Sequence, residues 1–160
     1  MTRFAMGALV ILVLLSGCAT NMAPSEQGNS ASGKRVLIAG ENTEFKQRLA
    51  AAVIEKLGTQ DWYFRIIGLD QLAQIDTGSY QAIVVLAGYR AGRLDGRVQE
   101  SLKRDPSNHK VIVLYTRGTD DPTPPRAGLD LKVDAISSAS RNDRVDARAE
   151  QLATLIKERF

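Results

Sequence analysis

The sequence predicts an α/β domain built on a five-stranded parallel sheet with helices on both faces, a doubly wound sandwich of strand order 2-1-3-4-5. Three observations carry this. Short runs of β-branched and aliphatic residues alternate with stretches whose apolar residues recur at helical spacing. The runs are continuously apolar, as strands buried on both faces must be. Parallel strands need crossovers, which are right-handed almost without exception, and five strands then favour this order.

The first run, Arg35–Ala39, ends at Gly40. Asn42 or Thr43 is placed to cap the helix that follows, with Glu44 favourable in its first turn. That helix carries Phe45, Leu49, Ala52, Val53 and Leu57 on one stripe and stops at Gly58. Tyr63–Leu69 is the second strand, with Arg65 marking an edge position. Asp70 opens a short helix carrying Leu72 and Ile75. Tyr80–Ala87 is the most apolar run and is expected at the centre. Leu94, Val98 and Leu102 define a third helix that ends before Pro106. Lys110–Thr116 is the fourth strand. Arg117–Asp130 is too rich in proline for a helix. Leu131–Ile136 is a weaker fifth strand, and Asp143 caps a last helix with Val145, Ala149, Leu152, Leu155 and Ile156 on its buried stripe.

Upstream of this domain the chain is organised for export. Arg3 precedes an apolar run from Phe4 to Leu15, which ends in Leu15-Ser16-Gly17-Cys18. The run is too short for a membrane span, which needs about 20 apolar residues, and has the shape of a secretory signal peptide. Leu15-Ser16-Gly17-Cys18 resembles the lipobox of bacterial lipoproteins. The resemblance implies cleavage before Cys18, acylation of its thiol and amino group, and stable membrane anchoring. Ala19 in place of Asp implies an outer-membrane destination facing the periplasm if the source has two membranes. Residues 18–33 read as the acylated cysteine and a flexible tether, and residues 34–160 as the domain.

Composition narrows the chemistry. The formal net charge is +3, without a basic cluster interleaved with aromatics, so nucleic acid is not an expected partner. The single cysteine is Cys18, and the acylation implied for it removes disulfides and thiol catalysis. His109 is the one histidine and no Gly-x-Ser-x-Gly elbow exists, so neither a serine hydrolase nor a zinc site is expected. Two carboxylates from the acidic pairs Asp120-Asp121 and Asp130/Asp134 could hold Ca²⁺ or Mg²⁺, but Asp120-Asp121 before Pro122 is also ordinary turn chemistry, and no metal site is assigned.

Ligands of such sheets bind at the carboxyl ends of the strands, near the point where strand order reverses. The residues expected there are Gly40, Asn42 and Thr43; Gly88, Tyr89, Arg90 and Arg93; Thr116 and Arg117; Ser137, Ser138 and Arg141. Glycine amides, hydroxyls and arginines together suit an anion.

Tyr80–Arg93 (YQAIVVLAGYRAGR) is similar to the third strand and following loop of flavodoxin-like proteins. Gly40-x-Asn42-Thr43-Glu44 loosely resembles their phosphate loop. The resemblance implies FMN, with Tyr89 and Tyr115 beside its ring. The leading hydroxyls of that loop are absent, however, and Glu41 puts a carboxylate where the phosphate would sit. A domain of this shape without a cofactor is therefore expected, acting as a non-catalytic binding or interaction module. Its partners would be the membrane, an envelope protein or an anionic small molecule. A tethered FMN electron carrier is the alternative.

Overall fold

The computed structural model describes residues 21–90, 93–104, 108–118 and 134–160. The signal peptide, Cys18, Asp120, Asp121 and Asp130 lie outside the described residues.

The strands are β1 (Ser25–Gly28), β2 (Arg35–Gly40), β3 (Tyr63–Gly68), β4 (Ala82–Arg90), β5 (Arg93–Leu94), β6 (Val111–Arg117) and β7 (Asp134–Ala139). The helices are α1 (Glu44–Leu57), α2 (Gly96–Arg104) and α3 (Val145–Lys157). The sheet runs β1-β3-β2-β4-β6-β7, and β5 turns back antiparallel on β4. Strands β3, β2, β4, β6 and β7 are mutually parallel, which is the expected 2-1-3-4-5 order.

Alternation along each strand divides the core in two. Val36, Ile38, Phe64, Val84, Leu86, Ile112 and Leu114 face α1 and α3. Leu37, Ala39, Ile67, Ile83, Val85, Val113 and Tyr115 face α2 and the 3-10 turns. With both faces covered, the sequence shows unbroken apolar runs.

The termini of α1 follow its sequence. The Thr43 side chain accepts the Lys46 N–H at 3.4 Å. Gly58, at φ 81°, donates its N–H to Ile54 O at 2.8 Å and closes the helix.

Several expectations are corrected. Residues 21–33 are not a loose tether. Ser25–Gly28 pairs antiparallel with β3, and Met22 is buried. All four residues of β1 are exposed, so backbone bonding rather than apolar burial recruits them and no hydrophobic pattern announces the strand. β1 also covers β3, so Arg65 lies one strand in from the sheet edge, where it pairs with Glu26. The short helix expected after the second strand is two 3-10 turns, Leu69–Gln71 and Thr77–Ser79. The third strand continues to Arg90, and Arg93–Leu94 pairs antiparallel with Tyr89–Arg90, so Gly88–Arg90 and Arg93 belong to strands rather than a plain loop, and Leu94 precedes α2. Strand five is Asp134–Ala139, which puts Ser137 and Ser138 inside it. Asp143 does not cap α3. It lies in the 3-10 turn Asn142–Arg144, held by Arg141.

Candidate functional site

Four parallel strands end at one edge of the sheet, at Gly40, Arg90, Arg117 and Ala139, and a cavity of about 430 Å³ opens between their ends. Thr43, Gly88, Tyr89, Arg90, Thr116 and Arg117 line it. Arg141 lines it from the β7 side. The structure therefore brings seven of the twelve expected site residues together. Gly40, Asn42, Arg93, Ser137 and Ser138 stand back from the cavity, for local reasons. Gly40 is the last residue of β2 and packs on Met22, whose Sδ lies 2.9 Å from where a Cβ on Gly40 would be. The Asn42 amide oxygen takes a bond from Gln47. Arg93 is exposed on β5. The two serines are buried strand positions, and Ser138 Oγ donates to Ala139 O at 3.0 Å.

Glu41, which the sequence placed in the first loop, and Lys46, which it left out, form the floor of the site. Lys46 is 2% exposed and Glu41 7%, and Lys46 Nζ donates to Glu41 Oε2. Burial pushes the Lys46 ammonium below its ordinary value, while the bond and charge of Glu41 push back. A signal for Lys46 existed. It falls on the buried side of α1 with Phe45, Leu49, Ala50, Val53 and Ile54. A lysine there must find a counter-charge.

The aromatic wall is already covered. The Tyr89 and Tyr115 rings sit 5.7 Å apart, tilted by 50°. The Arg117 guanidinium lies 4.6 Å from the Tyr89 ring centre and 5.7 Å from that of Tyr115. At the rim, Arg97 donates to both carboxylate oxygens of Asp95, at 2.9 and 2.7 Å. That bond holds the Asp95 carboxyl below its ordinary value and raises Arg97. Arg141 clasps Asp143 in the same way, at 3.0 and 2.7 Å.

The first loop does not fit an FMN phosphate in the flavodoxin manner. Only Glu41, Asn42 and Thr43 separate β2 from α1. The Glu41 N–H donates to Leu86 O at 3.1 Å, and the Thr43 N–H to Glu41 O at 3.0 Å. The Glu41 carboxylate lies over Gly88, 3.0 Å from where a Cβ there would be. The ligand-facing space of this loop holds the chain's own carboxylate. Among the described residues, no group of three or more His, Cys, Asp and Glu side chains is placed to hold a metal. His109 is exposed at the amino end of β6, across the sheet from the cavity.

No family model matches the chain, and neither does any curated protein. Solved structures do. An oxidoreductase from Corynebacterium diphtheriae superposes with a TM-score of 0.52 at 15% identity, over 79% of this chain and 99% of that one. The flavodiiron protein from Giardia intestinalis gives 0.51 at 10% identity, over 80% of this chain and 36% of that one. A flavo di-iron protein from Thermotoga maritima gives 0.50 at 14%, over 82% and 36%. The present chain thus spans just over a third of either di-iron protein. At such identities the likeness is one of fold, and this chain has the flavodoxin-like fold.

Proposed function

We propose that this chain is an exported, lipid-anchored envelope protein whose flavodoxin-like domain binds an anionic ligand without transforming it. One observation carries the binding site. Among the described residues, the buried charged, serine and threonine side chains lie at or beside the carboxyl edge: Glu41, Lys46, Thr116, Ser137 and Ser138. Burying such groups costs free energy that an apolar core would not. Glu41, Lys46 and Thr116 line the cavity itself, which marks it as the place where stability is given up for a task. The cavity walls add the guanidiniums of Arg90, Arg117 and Arg141, which recognise carboxylate or phosphate with directional bonds. The carboxylate on the floor is matched by Lys46, so the mouth stays open to an anion.

The anchor rests on Leu15-Ser16-Gly17-Cys18 and the apolar run before it. Membrane attachment follows from the acyl chains, with the domain in the periplasm of a two-membrane cell. Among the described residues no helix is long and apolar enough to cross a membrane. Replacing Cys18 by Ser should remove the acyl mass and release the protein from the membrane fraction.

The site is tested by an absorbance and fluorescence scan of the purified chain, titrated with FMN and separately with inorganic phosphate. A colourless protein with saturable phosphate binding is expected. Arg90→Ala or Arg117→Ala should weaken that binding about ten-fold, the value of one charged hydrogen bond. Absence of any saturable anion binding overturns the reading. The fold shared with oxidoreductases favours a second one, in which a flavin phosphate rests on these arginines rather than on the first loop. A yellow protein, or saturable quenching of FMN fluorescence, would establish that reading instead.

A further inference from the structure

Lys46 stands where a lysine is disfavoured twice over. It is the third residue of α1, in the first turn after the Thr43 cap, where the helix dipole presents its positive end. It is also 2% exposed, among the residues that α1 buries. Replacing a buried ion pair by packed apolar side chains is commonly neutral or stabilising, so stability does not account for Lys46 and Glu41. Both line the cavity of about 430 Å³, and the amine is met from inside it. A third group completes the cluster. Arg90 Nε at 3.4 Å and Glu41 Oε2 at 3.0 Å flank the point where a Cβ on Gly88 would be. The missing Cβ lets the two approach there. Burial and the nearby charge of Arg90 both favour the neutral form of Lys46, and its bond to Glu41 supplies an acceptor for the proton. A desolvated lysine beside a second cation is a setting in which an amine attacks a carbonyl carbon.

We propose that the cavity captures small 2-oxo carboxylates and that Lys46 holds them as a reversible imine. The inference rests on the reading of the cavity as an anion site and names the anion's chemical class. Arg90 takes the carboxylate, which guanidiniums bind with paired N–H donors. The Lys46 ammonium gives one proton to the Glu41 carboxylate, and the free amine forms a C–N bond to the carbonyl carbon. The carbonyl π pair moves to oxygen, which takes a second proton from the nitrogen. The resulting hydroxyl takes the proton held by Glu41 and leaves as water, while the nitrogen lone pair closes the C=N bond. The product is a protonated imine beside an ionised Glu41, so the charge of the pair is the same before and after. No oxidant or reductant takes part. Water reverses the sequence and returns the ligand unchanged, in keeping with a site that binds without transforming. Inorganic phosphate fills the place of the carboxylate but offers no carbonyl to Lys46.

The test treats the purified full chain at neutral pH with pyruvate and cyanoborohydride, which reduces an imine to a stable amine. The adduct is mapped by peptide mass spectrometry. An ordinary lysine is almost wholly protonated at that pH and reacts slowly. Lys46 should be labelled several-fold faster than the exposed Lys34, Lys103 and Lys157, and saturably in pyruvate. Inorganic phosphate should slow the labelling by competing for Arg90. Arg90→Ala, at an exposed position, keeps the lysine and should raise the pyruvate concentration for half-maximal labelling about ten-fold, the value of one charged hydrogen bond. Acetaldehyde has the carbonyl without the carboxylate and should show no preference for Lys46. Labelling spread evenly over the lysines overturns the proposal. So does labelling of Lys46 by acetaldehyde as readily as by pyruvate, or a rate that phosphate leaves unchanged. Phosphate binding is measured by calorimetry on the same protein without reductant. Saturable phosphate binding without a Lys46 adduct defeats the imine and leaves the anion site standing, whereas the absence of both defeats the two together.

Discussion

Beneath α1 and α3 the protein is aliphatic and aromatic throughout, whereas at the carboxyl edge it buries an ion pair and three hydroxyls. One helix takes part in both regions. α1 sends Leu49, Val53 and Ile54 into the first region and Lys46 into the second. The difference teaches how the work is divided. The interior holds the fold by area removed from water, and the edge gives some of that stability back to keep charged groups in place.

The sharpest way to break the comparison is to weaken the interior. Leu152 on α3 is fully buried in the aliphatic cluster. Leu152→Ala should cost about 3 kcal/mol, the transfer free energy of the lost atoms plus the cavity they leave. Urea unfolding should show the loss as a lower midpoint with an unchanged slope. Anion binding at the edge should be unaffected under conditions where the variant is folded. A binding defect would mean that the two regions are mechanically one.

Glu41→Ala attacks the other side. It strands the Lys46 ammonium in a buried place and should cost about 3 kcal/mol at neutral pH. The pH dependence identifies the cause. Lys46 titrates below 10.5 in the folded chain because burial disfavours its charge, and losing Glu41 lowers it further. Between that lowered value and 10.5 the unfolded chain binds more protons than the folded one, so stability rises with pH across this window. The deficit of Glu41→Ala should therefore shrink as pH climbs toward 10.5. Urea midpoints measured over that range check it. A deficit that stays flat would mean that the carboxylate matters for packing rather than charge.

The interior was legible in the sequence, and the edge was legible in part. Aliphatic runs such as Ile83–Leu86 and Val111–Leu114 have little choice but to be central strands, and the handedness of crossovers then orders them. Thr43 and Gly58 could be read as helix ends because capping is a local matter. β1 could not, because Ser25–Gly28 is held by backbone bonds to a partner nearly forty residues away. Strand ends were misplaced wherever the chain runs on past the apolar stretch, as at Gly88–Arg90 and Ser137–Ala139. The ion pair was missed on one side only. Glu41 stood out as a carboxylate in a glycine turn, while Lys46 looked like any lysine on a helix until its neighbours placed it on the buried face.

The smallest effect separates the buried pair from the exposed pairs at the rim. Asp95 accepts the Arg97 N–H at 2.9 Å in the first turn of α2 and also binds the Arg97 guanidinium. Asp95→Ala should cost about 1 kcal/mol, mostly the lost cap, since partly exposed ion pairs contribute little. Asp95→Asn keeps an acceptor for the N–H and should recover most of that loss. The sign with pH is opposite to that of Glu41→Ala. Arg97 holds the Asp95 carboxyl below 3.8, so its contribution is complete above 3.8 and is lost as pH falls through the folded value. The difference between wild type and Asp95→Asn should thus be constant at neutral pH and close only in acid. If Asp95→Ala instead cost as much as Glu41→Ala, burial would not be what distinguishes the two pairs. The stability of the edge would then reside in its rim, where Arg97 also fastens Asn21.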